Sequence, residues 1–393
     1  MARRSLLLVH NHYQRSGGES QVFSAETALL ENREHRVIRF EEDNSRIADR
    51  GSARTAIEAI WSSKSAQSLG EMVRLHKPDV VHFHNTFPLI SPAAYYAAQA
   101  EGAAVVQTLH NFRLLCPGAT LFRDGAVCEE CIERRSLRPA MAHKCYRESR
   151  PATAAVATML TVHRAARTWQ RKVDLYIALS EFARRKFIEG GLPASRIVVK
   201  PNFISPDPGR GTGTGGFALF AGRLSAEKGV SVLAGAWRDL AHIPLVAAGD
   251  GPLAGTKWPP GVTALGRQPR ERILALMRDA RVLIFPSECY EGAPMTILEA
   301  FACGLPVIAS NLGSMAEIVV HERTGLLFNP GDAADLARKV RWAFEHPEAV
   351  DGMRAEARRE FEEKYTADRN YEMLTAIYET AIANFRRERR AAS

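Results

Sequence analysis

The stretch 282–311 limits the fold most, because it holds two short apolar runs on either side of a helical pattern. The runs are Val282–Phe285 and Pro306–Ala309, and their β-branched residues favour strands. Between them, Pro294 stands where a helix can begin and Gly304 stands where it can end. A strand, a loop, a helix and a second strand predict a parallel sheet, because parallel neighbours need a long crossover connection.

The same alternation of short apolar strands and helical segments runs along both halves of the chain. In the first half the predicted strands are Leu6–His10, Arg36–Phe40, Val80–His84, Ala104–His110, Asp174–Ser180 and Ile197–Lys200. In the second half they are Phe217–Ala221, Pro244–Ala248, Val262–Leu265, Val282–Phe285, Pro306–Ala309 and Gly325–Phe328. A chain of 393 residues is too long for one hydrophobic core. We therefore predict an α/β protein with two doubly wound domains.

Four consecutive parts follow from this pattern. Residues 1–204 form the first domain. Residues 205–216 are rich in Pro, Gly and Thr without apolar periodicity, which is typical of a flexible linker. Residues 217–367 form the second domain. The remaining residues, 368–393, are a long helical pattern, and such a helix can fold back across the domain junction.

Composition argues against a membrane-spanning protein. The chain is 46% hydrophobic and 24% charged, as in ordinary globular proteins. No apolar run approaches the roughly 20 residues that a membrane helix needs. The N-terminal run Leu6–Val9 is too short for an export signal and fits a first strand better. We therefore expect a cytoplasmic protein, with peripheral contact at the inner face of the membrane left open.

Positive charge is concentrated in one segment of the first half. Residues 113–186 carry 15 Lys and Arg against 7 Asp and Glu, whereas residues 201–393 carry 23 against 24. Two interpretations remain open, a solvated helical surface or a face toward anionic lipid or a phosphate-bearing acceptor. Nucleic acid is not expected, because no helix-turn-helix, zinc-finger pattern or aromatic-interleaved basic strand accompanies the charge.

Candidate binding residues follow the strands, because ligands of doubly wound sheets bind beyond the carboxyl ends of the strands. In the first half these residues are the glycine pair Gly17-Gly18, and His110 with Asn111. In the second half they are Gly222-Arg223, Lys228-Gly229, the turn Gly249-Asp250-Gly251-Pro252 and the loop that contains Glu291. Arg223 and Lys228 are either a diphosphate site, which suits a guanidinium beside an ammonium, or a solvated charged turn.

Two carboxylates belong to the opening stretch. Glu291 precedes the predicted helix and Glu299 lies eight residues later within it. Eight helical residues rise about 12 Å, so the pair is poorly placed to flank one glycosidic bond as hydrolase carboxylates do. We expect the pair to hold different parts of one long ligand, since carboxylates accept hydrogen bonds from sugar hydroxyls. The backbone N–H groups of Ala293, Met295 and Thr296 would be unpaired at the helix start, where phosphate or sugar oxygens bind.

Histidines and cysteines are the other candidate ligands. His82 and His84 alternate with apolar residues in a strand, which favours a structural role, whereas His110 closes a strand and favours a functional one. Four cysteines fall within 30 residues, namely Cys116, Cys128, Cys131 and Cys145. Structural zinc and reduced thiols are equally favoured for this group, and a disulfide is favoured least in a cytoplasmic protein.

Several motifs resemble glycosyltransferase family 4 over nearly the whole chain. They are the E-x7-E pair Glu291 and Glu299, the runs Ala221–Leu224 and Glu227–Gly229, the turn Gly249–Pro252, and Thr324–Leu327. The resemblance implies a GT-B architecture of two Rossmann-like domains facing a cleft, the first for an acceptor and the second for a nucleotide-sugar donor. It also implies retention of anomeric configuration and no catalytic cofactor or metal.

The resemblance also implies roles for individual residues. Arg223 and Lys228 would neutralise the donor diphosphate, Glu291 would contact the sugar and Glu299 the ribose, with His110 near the anomeric centre. The predicted donor-binding residues are Gly17, Gly18, Gly222, Arg223, Lys228, Gly249, Gly251, Glu291, Gly292, Ala293, Met295, Thr296 and Glu299. The predicted catalytic residues are His110, Arg223, Lys228 and Glu291.

The basic, cysteine-containing insertion 113–150 departs from the shortest family members and affects the acceptor side. Its charge fits a lipid-diphosphate or membrane-presented acceptor, as in assembly of bacterial surface polysaccharides. The expected function is transfer of a hexose-type sugar to a glycan or lipid-linked acceptor. Two alternatives remain, a nucleotide-sugar epimerase of the same architecture and a non-catalytic, membrane-associated assembly partner.

Overall fold

The computed structural model describes residues 3–14, 17–47 and 51–392, which divide into two compact units. The N-terminal unit comprises Met1–Thr120, Glu129–Lys200 and Tyr371–Ser393, and the C-terminal unit comprises Leu121–Cys128 and Pro201–Asn370. Residues 1, 2, 15, 16, 48–50 and 393, which the predicted segments include, lie outside the described residues.

Each unit is built on a six-stranded parallel sheet. The strands are β1 Ser5–His12, β2 Arg36–Asp43, β3 Val80–Phe83, β4 Ala104–Leu109, β5 Phe122–Arg123, β6 Ala126–Val127, β7 Leu175–Ala178, β8 Ile197–Val199, β9 Ala218–Ala221, β10 Leu245–Ala248, β11 Val262–Gly266, β12 Val282–Phe285, β13 Val307–Ser310 and β14 Gly325–Phe328. The order is β2-β1-β3-β4-β7-β8 in the N-terminal unit and β11-β10-β9-β12-β13-β14 in the C-terminal unit. All twelve predicted strands are therefore confirmed, with ends that differ by a few residues.

Helices connect the parallel strands. They are α1 Gly18–Asn32, α2 Ser52–Ile60, α3 Ser63–His76, α4 Ala93–Ala100, α5 Glu130–Glu133, α6 Arg138–Ala142, α7 Arg150–Ala165, α8 Thr168–Arg171, α9 Glu181–Glu189, α10 Val230–Trp237, α11 Arg270–Asp279, α12 Met295–Ala302, α13 Gly313–Ile318, α14 Ala333–Glu345, α15 Pro347–Lys364 and α16 Ala367–Ala392. Short 3₁₀ turns occur at Asn44–Arg46, Ala194–Arg196 and Ala226–Lys228.

The hairpin of β5 and β6 is an element that the sequence analysis did not predict. Its two strands pair antiparallel. The turn residues Asp124 and Gly125 both have positive φ, 53° and 78°. An Asp-Gly pair is the usual occupant of such a tight turn, so the sequence contained a signal for this hairpin.

The last helix contributes to the core of the N-terminal unit. Leu374, Tyr378 and Ala381 of α16 are buried in one cluster with Leu8 of β1 and Val106 of β4. These contacts stabilise the helix through its apolar face, because a helix of this kind gains most of its stability from packing. The expectation that the C-terminal helix folds back to the first domain is confirmed.

The segment 205–216 has no regular structure, as predicted, but it is not a free linker. The N–H of Gly211 donates to the carbonyl of Cys303 at 2.9 Å, and the N–H of Gly213 donates to the carbonyl of Arg278 at 3.0 Å. A Cβ atom at Gly211 would lie 2.1 Å from the carbonyl oxygen of Arg278. The glycines therefore let this segment lie flat against its own unit, which corrects the flexible-linker prediction.

Candidate active site

The predicted helix start in the C-terminal unit is present at the carboxyl end of β12. Pro294 caps α12 in an extended conformation, and Gly304 follows the helix end with φ of +63°. Within the described residues, the backbone N–H groups of Ala293, Met295 and Thr296 donate to no backbone carbonyl. Such unpaired groups at a helix N-terminus attract anions and other acceptor oxygens.

The carboxylate of Glu291 is held in front of this helix by two side chains. Lys228 Nζ donates to Glu291 Oε1 at 2.5 Å, and Ser287 Oγ donates to the same oxygen at 2.6 Å. The hydroxyl of Ser314 fixes the backbone by donating to the Glu291 carbonyl at 2.7 Å. The sequence predicted Lys228 and Glu291 as site residues, but it gave no role to the two serines.

The loop after β9 reaches this position by a close backbone approach. Gly229 has φ of +70°, and a Cβ atom there would lie 1.9 Å from the carbonyl oxygen of Pro286. The carbonyl of Glu227 accepts a hydrogen bond from the N–H of Glu288 at 2.9 Å. Only glycine fits at position 229, and its presence places Lys228 beside Glu291.

Electrostatics keep the Lys228 side chain charged. Burial by itself lowers the pKa of Lys228, but the nearby acidic groups, chiefly Glu291, together act in the opposite direction and the net shift of the pKa is upward. Burial raises the pKa of the nearby Cys289 thiol to about 12. The site therefore contains an ammonium group and a protonated thiol at neutral pH, and Cys289 is not a nucleophile there.

Arg223 differs from Lys228 in being unpaired. Its side chain is exposed, and no salt bridge of the described residues includes it. A guanidinium without a carboxylate partner is ready to bind an anion bidentately. The two predicted cations thus differ in this unit, because Lys228 forms an ion pair with Glu291 whereas Arg223 forms no ion pair with a described residue.

Three predicted glycines lie where loops pack tightly against each other. A Cβ atom at Gly249 would lie 1.8 Å from the carbonyl oxygen of Gly222, and one at Gly251 would lie 2.4 Å from that of Leu224. The N–H of Gly222 in turn donates to the Ala248 carbonyl at 3.0 Å. Close packing explains Gly249 and Gly251 without any ligand, so their contact with a donor stays a prediction.

Glu299 lies inside α12 and is paired with a residue that the sequence analysis missed. Arg270 Nε donates to Glu299 Oε1 at 2.8 Å. Burial raises the pKa of Glu299, and the hydrogen bond from Arg270 acts in the opposite direction. Arg270 follows strand β11 at its carboxyl end, so the strand-end rule, applied to that strand, would have found it.

The predicted glycine pair opens the first helix of the N-terminal unit. Gly17 caps α1 in an extended conformation, with φ of −137°. Apart from its chain neighbours, no atom of the described residues lies within 4 Å of the place where a Cβ atom would be at Gly17. Neither backbone strain nor internal crowding requires glycine at position 17, which leaves space for a ligand to approach the backbone.

His110 lies just beyond β4 and is half-buried. Its Nε2 atom lies 3.0 Å from Nδ1 of His84, and the two rings are stacked with centroids 5.2 Å apart. Burial holds the pKa values of both histidines well below their ordinary range. The neighbouring Asn111 donates to Glu19 at 3.3 Å, and burial raises the pKa of Glu19 to about 8. This strand end is therefore polar, with neutral histidines beside the cation of Arg113, whose backbone N–H donates to Asn111 Oδ1 at 3.0 Å.

One group of the described residues brings three potential metal ligands together. Glu26, His82 and His84 place one ligand atom each within 4.8 Å of one another. Both ring nitrogens of His82 are already hydrogen bonded, to Tyr378 and Thr108, and the ammonium of Lys200 lies 2.5 Å from Glu26. A cation would have to displace these bonds and approach an ammonium group, so the residues do not fit a metal ion.

The zinc interpretation of the cysteines is not supported. The described residues include Cys116, Cys128, Cys131 and Cys145, and their thiols form no group of three or more ligands within bonding range of one ion. A structural zinc ion needs four ligands in close tetrahedral arrangement. Of the two interpretations that the spacing left equally favoured, structural zinc is therefore not supported among the described residues, and the cysteines are free thiols.

Residues 2–208 match the family model described as Glycosyltransferase Family 4, and residues 210–360 match the model described as Glycosyl transferases group 1. The chain belongs to glycosyltransferase family 4. The predicted family is thus confirmed. Among the described helices of this family member, none has the length and apolar character needed to cross a bilayer.

Curated relatives of this family member align with parts of it. D-rhamnosyltransferase WbpZ of Pseudomonas aeruginosa is 29% identical over 160 residues, 38% of this chain and 42% of the relative. Glycogen synthase of Mycobacterium tuberculosis is 31% identical over 190 residues, 44% of this chain and 43% of the relative. The 2-deoxystreptamine glucosyltransferase of Streptomyces kanamyceticus is 28% identical over 317 residues, 75% and 76% of the two chains. The chain thus spans less than two thirds of the length of WbpZ and glycogen synthase.

Solved structures similar to this family member establish the fold. HepE of Anabaena in complex with UDP and glucose has a TM-score of 0.68 at 16% identity, covering 96% of this chain and all of HepE. Sucrose-phosphate synthase of Thermosynechococcus elongatus has a TM-score of 0.68 at 17% identity, covering all of both chains. With the two six-stranded parallel sheets, these matches confirm the predicted GT-B fold of two Rossmann-like domains.

Proposed function

We propose that the protein is a glycosyltransferase that moves a hexose-type sugar from a nucleoside diphosphate sugar to a hydroxyl group of an acceptor. The observation that supports it most is the strand-end site of the C-terminal unit. There, exposed Arg223, the paired Lys228 and Glu291, and the unpaired N–H groups at the start of α12 belong to adjacent loops of one sheet edge. Cations and helix N–H groups suit a diphosphate, and a carboxylate suits sugar hydroxyls.

The donor class rests on the same site. We assign the diphosphate to Arg223 and Lys228, the transferred sugar to Glu291 and the ribose to Glu299. Glu299 retains one carboxylate oxygen beyond the bond from Arg270, and that oxygen can accept hydrogen bonds from two neighbouring ribose hydroxyls. UDP is the first nucleotide to test, since HepE was crystallised with UDP and glucose.

The proposed reaction is a transfer with retention of configuration. The bond between the anomeric carbon and the phosphate oxygen breaks, and its electron pair stays on the departing diphosphate. The acceptor oxygen then bonds to the anomeric carbon from the same face, and its proton passes to a diphosphate oxygen. Arg223 and Lys228 lower the barrier because they stabilise charge that grows on the leaving group as the bond breaks.

The N-terminal unit supplies the remaining groups of the proposal. We assign to His110 a contact with the transferred sugar and to Gly17-Gly18 a close approach of backbone to the diphosphate. Among the described residues, the space beside Gly17 is open and Nδ1 of His110 has no hydrogen-bond partner, which supports these roles. No metal ion takes part, since the cationic side chains and the helix N–H groups supply the charge stabilisation.

The acceptor side of the proposal is a glycan or lipid-linked acceptor of a surface-polysaccharide pathway. The basic character of residues 113–186 supports it, because it suits phosphate groups or an anionic lipid surface. Sedimentation with vesicles that contain anionic lipid, compared with neutral vesicles, tests the membrane contact. Equal sedimentation with both vesicle types would exclude the contact with anionic lipid and leave a phosphate-bearing acceptor or a solvated surface.

Two measurements test the proposed activity. Titration calorimetry with UDP and other nucleoside diphosphates should show binding that weakens in Arg223→Ala, and mass spectrometry should show a sugar added to an acceptor glycan. Binding of no nucleoside diphosphate at millimolar concentration would exclude the proposal. Conversion of a labelled donor to a new nucleotide sugar without acceptor would instead establish an epimerase.

A further inference from the structure

A buried line of four side chains leads from the interior of the N-terminal unit to His110. Lys200 Nζ lies 2.5 Å from Glu26 Oε1, and Glu26 Oε2 lies 3.4 Å from His84 Nε2. His84 Nδ1 then lies 3.0 Å from His110 Nε2. We call Lys200, Glu26, His84 and His110 the histidine relay.

The interior members of the relay are shielded from water. Lys200, Glu26 and His84 have exposed fractions of 0%, 1% and 2%. Within the described part of the chain neither Glu26 Oε2 nor His84 Nε2 forms a hydrogen bond, and their own contact at 3.4 Å is an electrostatic one. Each of these two atoms therefore has the other as its electrostatic partner, and in such a place an unsatisfied polar atom is costly.

The ion pair determines where His84 carries its proton. A buried Glu is retained as a carboxylate by the ammonium of Lys200, because a buried charge persists when it is paired. Neutral His84 has a single N–H group. If that proton were on Nδ1, the lone pair of Nε2 would face the carboxylate, so the proton belongs on Nε2.

The position of the proton on His84 in turn determines which nitrogen of His110 is protonated. With its proton on Nε2, His84 has an acceptor lone pair on Nδ1, which faces Nε2 of His110. Neutral His110 must then donate from Nε2. Its Nδ1 atom, which has no partner among the described residues, is left as a hydrogen-bond acceptor.

We propose that Glu26 and Lys200, acting through His84, hold His110 in the Nε2-protonated form so that its Nδ1 atom accepts a hydrogen bond from a hydroxyl group of the substrate. This inference rests on the proposed function for the ligand that His110 meets. Glu26, Lys200 and His84 are positioning residues, since each acts through the next. The arrangement corresponds to a carboxylate that orients a histidine in a catalytic triad.

Nuclear magnetic resonance of the full chain with ¹⁵N-labelled histidine tests the proton positions without any substrate. We expect His110 to show a protonated Nε2 and an unprotonated Nδ1, and a scalar coupling across the hydrogen bond from His110 Nε2–H to His84 Nδ1. His110→Gln and His84→Phe assign the signals. A proton on His110 Nδ1, or one on His84 Nδ1 donated to His110, would overturn the proposal.

A second experiment removes the charges of Glu26 and Lys200 but keeps the volumes of the two side chains. In the double variant Glu26→Gln with Lys200→Met, neither partner is left as an isolated buried charge. We expect the His110 nitrogen signals to move toward a mixture of the two protonated forms, and kcat to fall by about 10- to 100-fold with a smaller change in KM. Unchanged nitrogen signals in a folded double variant would contradict the relay.

His84→Phe is the companion variant if the double variant unfolds, and His82→Phe is the matched control. His82 is equally buried two residues earlier in the chain, but it bonds Tyr378 and Thr108 instead of His110. We expect His82→Phe to keep the His110 signals and His84→Phe to change them. Equal loss of kcat in both, with unchanged His110 signals, would mean a purely structural role.

The two proposals fail in different ways. If wild-type protein binds no nucleoside diphosphate, the proposed function is wrong, whereas the nitrogen signals still decide whether the relay orients His110. If the wild type binds UDP and transfers sugar but His110 keeps its signals in the double variant, only the relay is wrong.

Discussion

The strand-end sites of the two units share an architecture but differ in charge. In the C-terminal unit the edge of the sheet presents an unpaired Arg223 and the ion pair of Lys228 with Glu291. In the N-terminal unit the corresponding edge presents His110 and Asn111, and the ion pair of Lys200 with Glu26, which lies beside His84, is fully buried. The two strand ends therefore differ, because one presents an exposed guanidinium and an ion pair whereas the other presents histidine and amide side chains beside Arg113.

This comparison shows how burial sets the function of a polar residue. The Lys228 and Glu291 side chains keep 27% and 14% of their surface exposed, so a ligand can replace one of the partners. The Lys200 and Glu26 side chains are each 1% exposed, so no ligand can reach them. A partly exposed charge pair is accessible to a ligand, whereas a buried pair can only act on its protein neighbours.

The largest expected effect tests the charged site. Arg223→Ala and Lys228→Ala should each lower kcat/KM by about 10²- to 10³-fold or more, because both cations act on charge that develops in the transition state. Arg238→Ala is a matched control, an exposed arginine at the end of α10 in the same unit. Steady-state kinetics with the best donor measure the change.

If Arg223→Ala and Lys228→Ala both keep wild-type kinetics, these two cations do not stabilise the transition state and the proposed role of the charged site is wrong. A large loss in Arg238→Ala would instead indicate a general effect of surface charge on the protein.

The second prediction contrasts a crowded glycine with an open one. Gly229→Ala should destabilise the protein by about 2 to 4 kcal/mol, because the new Cβ atom would clash with the Pro286 carbonyl and the backbone has positive φ. Gly17→Ala should leave stability nearly unchanged and weaken nucleotide binding or turnover. Denaturant unfolding measures the first variant, and calorimetry with kinetics measures the second.

If Gly17→Ala lost as much stability as Gly229→Ala, glycine at position 17 would be required by the folded structure and not by ligand binding. Equal nucleotide affinity and turnover in Gly17→Ala and wild type would remove the glycine pair from the binding site.

The third prediction concerns the carboxylate of α12. Glu299→Gln should weaken UDP binding by roughly tenfold, because hydrogen bonds to a charged acceptor contribute about 1.5–3 kcal/mol each. The variant should also lose most of the preference for UDP over 2′,3′-dideoxy-UDP, since that preference reports ribose recognition. Calorimetry with both nucleotides checks it, and an undiminished preference would assign the ribose to another residue.

The smallest expected effect concerns the buried His82 of the N-terminal unit. Burial lowers the pKa of His82 to about 4. The unfolded chain therefore binds more protons at this residue, and the stability it contributes is present above the ordinary histidine pKa of about 6.5 and is lost as the pH falls toward 4. Between pH 7 and 5.5 the wild type should lose roughly 1 kcal/mol more stability than His82→Phe.

Denaturant unfolding of both proteins at the two pH values measures this difference. Glu19, whose pKa burial raises to about 8, acts in the opposite direction in both proteins and cancels in the comparison. Parallel losses of stability in wild type and variant would show that His82 does not remain neutral in the folded protein.

Much of the fold could be predicted because its signals are local. The alternation of short apolar runs with helical segments predicted every strand of both parallel sheets. Pro294 and Gly304 predicted the start and end of α12, and both act within one helical turn. The hairpin at Asp124-Gly125 was missed although its turn signal is equally local, because its strands are only two residues long.

The cysteines show where local spacing fails. Cys128 and Cys131 form a Cys-x2-Cys pair, and the spacing of four thiols in 30 residues left structural zinc and reduced thiols equally favoured. Whether sulfur atoms converge depends on the path of the chain between them, and here they do not form a ligand group among the described residues. The segment 205–216 is a similar case. Its composition predicted a flexible linker, but its backbone hydrogen bonds to Cys303 and Arg278 hold it against its own unit.

By itself, the sequence determined the α/β class, the strands, the helix start at α12 and the charged residues that follow strands, because each depends on residues near one another in the chain. Only the tertiary structure decided which partners those residues have. It paired Lys228 with Glu291 across 63 positions, Arg270 with Glu299, and Lys200 with Glu26 across 174. Such pairs form where distant loops meet at a sheet edge or in a core, and no spacing in the sequence encodes that meeting.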